Sequence, residues 1–177
     1  MAADIGKIFE NEMKEVFKLL KEQHLVGWHR LTDTGAAGSL VSAQPSDYII
    51  ALPPGCSNLL EGQRMMFLEV KASEEYHTLG KSMVRPSQRG AIMSFRYLLN
   101  IPYLILFWDA QHGVLQLWDG IAIHSERNIN KQHMLAQWDG IGSINRLLRQ
   151  RVVDRLAEHF RIPKMAYTLE LLRSSPQ

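Results

Sequence analysis

Pro45-Ser46-Asp47-Tyr48-Ile49-Ile50-Ala51-Leu52 and Met65-Met66-Phe67-Leu68-Glu69-Val70-Lys71 are two short apolar runs, and each carries a carboxylate at one end. Bounded by turn-forming residues and of strand length, both read as β-strands. Side chains along a strand alternate between its faces, so Lys71 shares a face with Glu69. If the two strands lie side by side, Asp47 comes close to Glu69. Two carboxylates and an ammonium converging at a sheet edge make an oxygen-rich place for a hard divalent cation, with a lysine beside it.

Upstream, Ile5, Ile8, Phe9, Met13, Val16, Phe17 and Leu20 recur at steps of three and four. This predicts an amphipathic helix over 4–23 with Asp4 as its N-cap. Glu10 follows Phe9 at the border of the apolar stripe, whereas Glu12 and Glu15 belong to the solvated face. A strand over 25–31 follows, starting from Leu25, Val26 and Trp28 and reaching Arg30. The small, hydroxyl-rich stretch from Thr32 through Asp33 and Thr34 to Ser39 cannot pack a core and reads as a loop. Downstream, Pro86 suits the first turn of a helix over 87–99, with Ala91, Ile92, Phe95, Leu98 and Leu99 as its apolar face. Tyr103 to Trp108 is apolar almost throughout and predicts a central strand, 102–108, covered on both faces. Another strand is expected over 114–118 and a further helix over 143–160. No periodicity is readable across 120–142.

The spacing Pro-x-Asp…Glu-x-Lys resembles the signature of the PD-(D/E)XK nuclease superfamily. Gly6-Lys7-Ile8-Phe9-Glu10 resembles the helical G-x-x-(F/A)-E start of its Holliday junction resolvases, of the archaeal and Gram-positive types. The basic strand, the small-residue loop and Gln88 at the start of the next helix fall in the matching order. The resemblance covers roughly residues 4 to 110. It implies an α/β, restriction-endonuclease-like fold: an αβββαβ core with a mixed central sheet flanked by helices, plus a helical C-terminal extension. It also implies one nuclease domain over 1–177, with a catalytic core over 1–119 and the extension over 120–177.

The activity so implied is metal-dependent hydrolysis of DNA phosphodiesters. Asp47, Glu69 and Glu10 would hold one or two Mg²⁺ (or Mn²⁺) per site. Lys71 and Gln88 would complete the catalytic set by orienting water or neutralising charge. Arg30, Thr32 and Thr34 would contact phosphate, and Lys81, Arg85, Arg89 and Arg96 would track the DNA backbone. A resolvase makes two symmetric nicks, which calls for a homodimer with its two sites related by a two-fold axis. The apolar surface for it is expected from the 114–118 strand or the C-terminal helix. The alternatives are a restriction- or repair-type duplex endonuclease of the same superfamily and a non-catalytic DNA-binding module that retains the fold.

Composition sets bounds. The chain has 177 residues, 46% of them hydrophobic, enough for a sizeable core and too apolar for a disordered chain. Cys56 is the one cysteine, so an intrachain disulfide and a cysteine-based zinc cluster are excluded. No H-E-x-x-H spacing occurs among the histidines. The absence of a long apolar run predicts no membrane span, and a cytoplasmic place is expected: nucleoid-associated, or the host cytoplasm for a phage-encoded chain. A net charge of only +2 means that affinity for phosphate must come from local clusters.

Overall fold

Asp4 opens the chain's first helix by accepting the backbone N–H groups of Gly6 and Lys7 on its carboxylate, at 3.0 and 3.4 Å. The computed structural model describes residues 4–31, 44–56, 63–124 and 129–165. Helix α1 (Ile5–Gln23) buries Phe9, Met13, Val16, Phe17 and Leu20, the stripe expected from the sequence. Strands β1 (Gly27–Arg30), β2 (Tyr48–Ala51) and β3 (Met65–Ser73), helix α2 (Pro86–Ile92) and strand β4 (Tyr103–Asp109) follow, which is the expected αβββαβ order. Strands β5 (Val114–Asp119) and β6 (Met134–Trp138) extend one mixed six-stranded sheet in the order β1-β2-β3-β4-β5-β6. Its neighbours are antiparallel except β3 and β4, which run parallel. A parallel pair needs a crossover, and α2 lies in it.

Strand alternation divides the core in two. Tyr48, Ile50, Leu68, Val70, Leu104, Leu106 and Trp108 form one cluster with the buried residues of α1 and of α3 (Arg149–Phe160). Tyr103, Ile105, Phe107 and Trp118 form the other with Leu79, Val84 and Ile92. All seven residues of β4 are buried, as a strand covered on both faces requires. Trp108 packs on Phe9 with ring centroids 5.4 Å apart, joining β4 to α1.

Three sequence expectations need correction. Helix α2 widens into a π-type segment, Met93–Leu98, and the extra residue per turn shifts the phase of its apolar face. Leu98 and Leu99 are consequently exposed, at 68% and 62%. The helix expected from residue 143 begins at Arg149. Before it, β7 (Gly142–Ser143) and β8 (Arg146–Leu147) form a small ribbon. Gly142 has φ +140, and a Cβ there would stand 2.2 Å from the Arg146 carbonyl oxygen, so the chain can turn at that point only with glycine. Third, β5 lies between β4 and β6 and is buried, so the 114–118 strand offers no apolar edge to a second copy.

The arginines of α3 make surface contacts within the chain. Arg149 makes a two-pronged pair with Glu12 of α1 at 2.6 and 2.8 Å. Arg151 donates to the Gly140 carbonyl at 2.7 Å, and Arg155 pairs with Glu158 at 3.0 Å. Among the described residues, no helix is long and apolar enough to cross a membrane.

Candidate active site

The antiparallel register of β2 and β3 sets Tyr48 opposite Leu68, and one step further along that ladder Asp47 faces Glu69. The Val70 backbone N–H donates to Asp47 Oδ2 at 2.8 Å, which fixes the aspartate against β3. The Glu69 carboxylate is fully buried, with 0% of its surface exposed. Lys71, two residues on and on the same face, places its Nζ 2.7 Å from Glu69 Oε1. Gln88 Nε2, from the first turn of α2, donates to the same oxygen. Gln88 Oε1 accepts the Arg85 backbone N–H at 3.0 Å. The amide thus caps its own helix with one end and holds Glu69 with the other, and this fixes its orientation. Tyr103 on β4 donates its hydroxyl to the Pro45 carbonyl at 2.5 Å and stands 3.5 Å from Glu69 Oε2. Burial raises the Tyr103 phenol far above its ordinary range, and the charges of Glu69 and Asp47 add to the effect, so it stays neutral.

Burial also pushes the Glu69 carboxyl up to about 7; the charge of Asp47 adds to the rise, and Lys71 opposes it. The two carboxyls disfavour each other's charge. They therefore compete for charge, and near neutral pH a proton resides on the pair part of the time. A hard divalent cation placed between them would remove that conflict. Carboxylate oxygens are the donors such an ion prefers, so the residues present fit Mg²⁺ or Mn²⁺.

Gln88 offers a separable test of this electrostatic arrangement. A hydrogen bond to the charged form of a carboxylate favours that form, by roughly 1.5–3 kcal/mol. Gln88→Leu is expected to raise the Glu69 carboxyl further and to move the acidic limb of any metal-dependent activity to higher pH. Activity near pH 7 should fall on the order of tenfold and partly return at pH 9. A loss that is equal at every pH would mean that Gln88 acts elsewhere.

The remaining candidates separate into groups. Glu10 pairs with Arg30 at 2.7 Å, and the Tyr48 hydroxyl donates to the Glu10 carbonyl at 3.0 Å. Arg30 is the cross-strand partner of Tyr48, whose ring belongs to the α1-side core, whereas Asp47 and Glu69 are on the other parity. Glu10 and Arg30 thus pair with each other on the α1 side of the sheet. Arg89 donates to the carbonyls of Val84 and Lys81 at 2.9 and 2.7 Å and so orders the loop before α2. Arg96 grips Asp119 through two nitrogens, at 2.8 and 2.7 Å, and reaches Asn100 at 3.0 Å. Both guanidiniums, expected on DNA, make these contacts within the chain. Arg85 is exposed at the start of α2, and Lys81 is half-buried. Thr32 and Thr34 lie outside the described residues.

Two features escaped the sequence reading. Tyr103 looked like one more apolar strand residue; only its register, two places before the partner of Glu69, signals its role. His77, Asp109 and His112 converge at the other end of β3 and β4, and their spacing matches no familiar ligand motif.

No protein-family model and no curated protein matches the sequence. Among solved structures, the chain is similar to Hjc, a Holliday junction resolvase of the archaeal hyperthermophile Archaeoglobus fulgidus. The identity is 13% and the TM-score 0.39, over 73% of this chain and 87% of that one.

Proposed function

We propose that the chain is a metal-dependent DNA endonuclease, and within that class a structure-specific resolvase of four-way junctions acting as a homodimer. The observation that carries the reading is the fully buried Glu69, opposite Asp47 and in contact with Lys71 on one strand face. A fully buried carboxylate set against a second, half-buried one and a lysine is poorly explained by stability, because buried charge is costly to keep. It is well explained as a site that waits for a cation.

Asp47 and Glu69 would hold one or two Mg²⁺ or Mn²⁺, which when bound supply an activated water and neutralise charge on the phosphate. Lys71 holds a fixed positive charge at Glu69 Oε1, where it can orient the attacking water and offset the charge that grows on the phosphate. Gln88 keeps Glu69 in its ionised orientation. Tyr103 ties the Pro45 turn, and with it Asp47, to β4. Arg85 and Lys81 lie where the loop into α2 can meet the DNA backbone. Glu10, paired with Arg30 on the α1 side, would help the cation through a bound water once an arriving phosphate engages Arg30.

The choice between junction and duplex is tested with one labelled four-way junction and a linear duplex of the same sequence, each incubated with Mg²⁺ and with EDTA. Paired symmetric nicks confined to the junction and lost with EDTA are expected. Cutting of both substrates would keep the endonuclease and remove the resolvase. Tight binding without cutting under either Mg²⁺ or Mn²⁺ would leave a binding module.

A further inference from the structure

The outgoing ends of β3 and β4 bring together a second group of donors. Asp109 closes β4 and is 2% exposed. His112 Nδ1 lies 3.0 Å and His77 Nδ1 3.1 Å from its Oδ2. The three donor atoms lie within 4.8 Å of one another. Asp109 is aligned with Ser73, four residues beyond Glu69, which sets the group about 13 Å along the sheet from the carboxylate pair.

Separate parts of the chain position each donor. The Ser73 hydroxyl accepts the N–H groups of Glu75 and Tyr76 at 3.0 and 2.9 Å, and this turns the chain after β3. Gln116 of β5 donates to the His77 carbonyl at 2.9 Å and holds that residue over the sheet end. Asp109 Oδ1 accepts the His112 backbone N–H at 3.1 Å, shaping the β4–β5 turn. The imidazole rings meet edge to face, with centroids 4.3 Å apart. Their side chains are 63% and 50% exposed, so burial does not force them together, yet both aim Nδ1 at one buried carboxylate.

We propose that His77, Asp109 and His112 form a second cation site, for a first-row divalent ion that prefers imidazole, Zn²⁺ foremost, and that the ion acts as a clamp. Two imidazole nitrogens and one carboxylate oxygen suit such an ion, whereas Mg²⁺ prefers oxygen donors alone. Zinc–nitrogen bonds of about 2.0–2.1 Å put neighbouring donors of a tetrahedron about 3.3 Å apart. Both histidine–carboxylate distances are already within a few tenths of an ångström of that, and the two imidazole nitrogens, within 4.8 Å of each other, need to close the remaining gap by side-chain rotation. The fourth position opens on a cleft of about 470 Å³ that Thr78 and Lys131 also line, where water or an anion completes the set. An ion here joins the loop leading to Lys81 and α2 to the β4–β5 turn. Binding to the folded chain alone would then appear as added stability.

The test titrates Co²⁺, whose visible absorption reports nitrogen and oxygen ligation, into the full chain at pH 7.5. It is run in wild type, in Glu69→Gln, and in His77→Ala, His112→Ala and their double variant. One equivalent with the nitrogen-ligated spectrum should bind in wild type and in Glu69→Gln alike, apart from any ion held by oxygen at Asp47 and Glu69 in wild type, be displaced by Zn²⁺, and raise the melting temperature. An outer partner of a metal ligand is worth roughly 10–100-fold in affinity, and a direct ligand no less, so each single variant should weaken binding by at least about tenfold. The double variant should lose it. Both histidine side chains are largely exposed, and a melting curve without metal checks that the variants fold. Equal Co²⁺ affinity in the double variant, or no binding by wild type, would overturn the proposal.

Discussion

Glu69→Gln is expected to reduce metal-dependent cleavage on the order of a thousandfold or more, and at the same time to make the metal-free protein more stable at pH 8. The two effects share one cause. In the unfolded chain the carboxyl titrates at its ordinary value of 4.5, and in the fold burial and Asp47 raise it to about 7. Between those values the native chain binds more protons than the unfolded one, so stability falls as pH rises. The favourable contribution is complete below 4.5 and is lost as pH rises through about 7. Charging Glu69 thus costs the fold on the order of 3 kcal/mol at alkaline pH. Glutamine keeps the shape and can accept from Lys71 but does not titrate, and Asp47 remains to balance the lysine. Denaturant midpoints measured from pH 5 to 9 should show wild type losing stability where the variant stays flat. Lower stability of the variant at pH 8 would remove the buried-charge account. Mg²⁺ should stabilise wild type more at pH 8 than at pH 6, and should leave the variant unchanged.

Lys71→Met should have the second largest effect, and a different pH signature. Its ammonium lowers the Glu69 carboxyl and touches Oε1 at 2.7 Å. Without it Glu69 should rise further, and under the proposed function the cation should bind less well at neutral pH and the charge developing on phosphate should lose its neutraliser. Cleavage should fall on the order of a hundredfold to a thousandfold, with the residual activity displaced to higher pH. Removing one partner of a buried ion pair ordinarily costs about 3–5 kcal/mol. Here Glu69 can escape that cost by taking a proton. The variant should therefore match wild type in stability near pH 6 and fall below it at pH 8.5. A uniform loss of stability at every pH would instead mark Lys71 as a packing residue.

The elements that build the site were readable because their signals are local. The short apolar runs after Asp47 and before Glu69, the three-and-four stripe of α1 with Asp4 before it, and the apolar β4 each specify an element within a few residues. Pairing β2 with β3 in their antiparallel register then sets Asp47 opposite Glu69. What stayed hidden depends on partners distant in sequence. Arg96 reads as a solvent-facing cation until Asp119 is placed against it, and Arg89 until the Lys81 and Val84 carbonyls are. Tyr103 and Gln88 owe their roles to which side of Glu69 their elements pack on. The π-type widening after Ile92 and the ribbon before Arg149 turn on backbone choices, at Gly142 and at Asn145 with φ 67, that hydrophobic periodicity does not encode.

The central claim is that Asp47, Glu69 and Lys71 form a cation-dependent site for phosphodiester cleavage. The most direct measurement is cleavage of labelled DNA, as four-way junction and as duplex, by wild type and by Glu69→Gln at pH 8 with Mg²⁺. The account predicts product from wild type, none when EDTA replaces Mg²⁺, and none from the variant although it is folded and at least as stable. Equal cleavage by Glu69→Gln, or none by wild type with either Mg²⁺ or Mn²⁺, would contradict it.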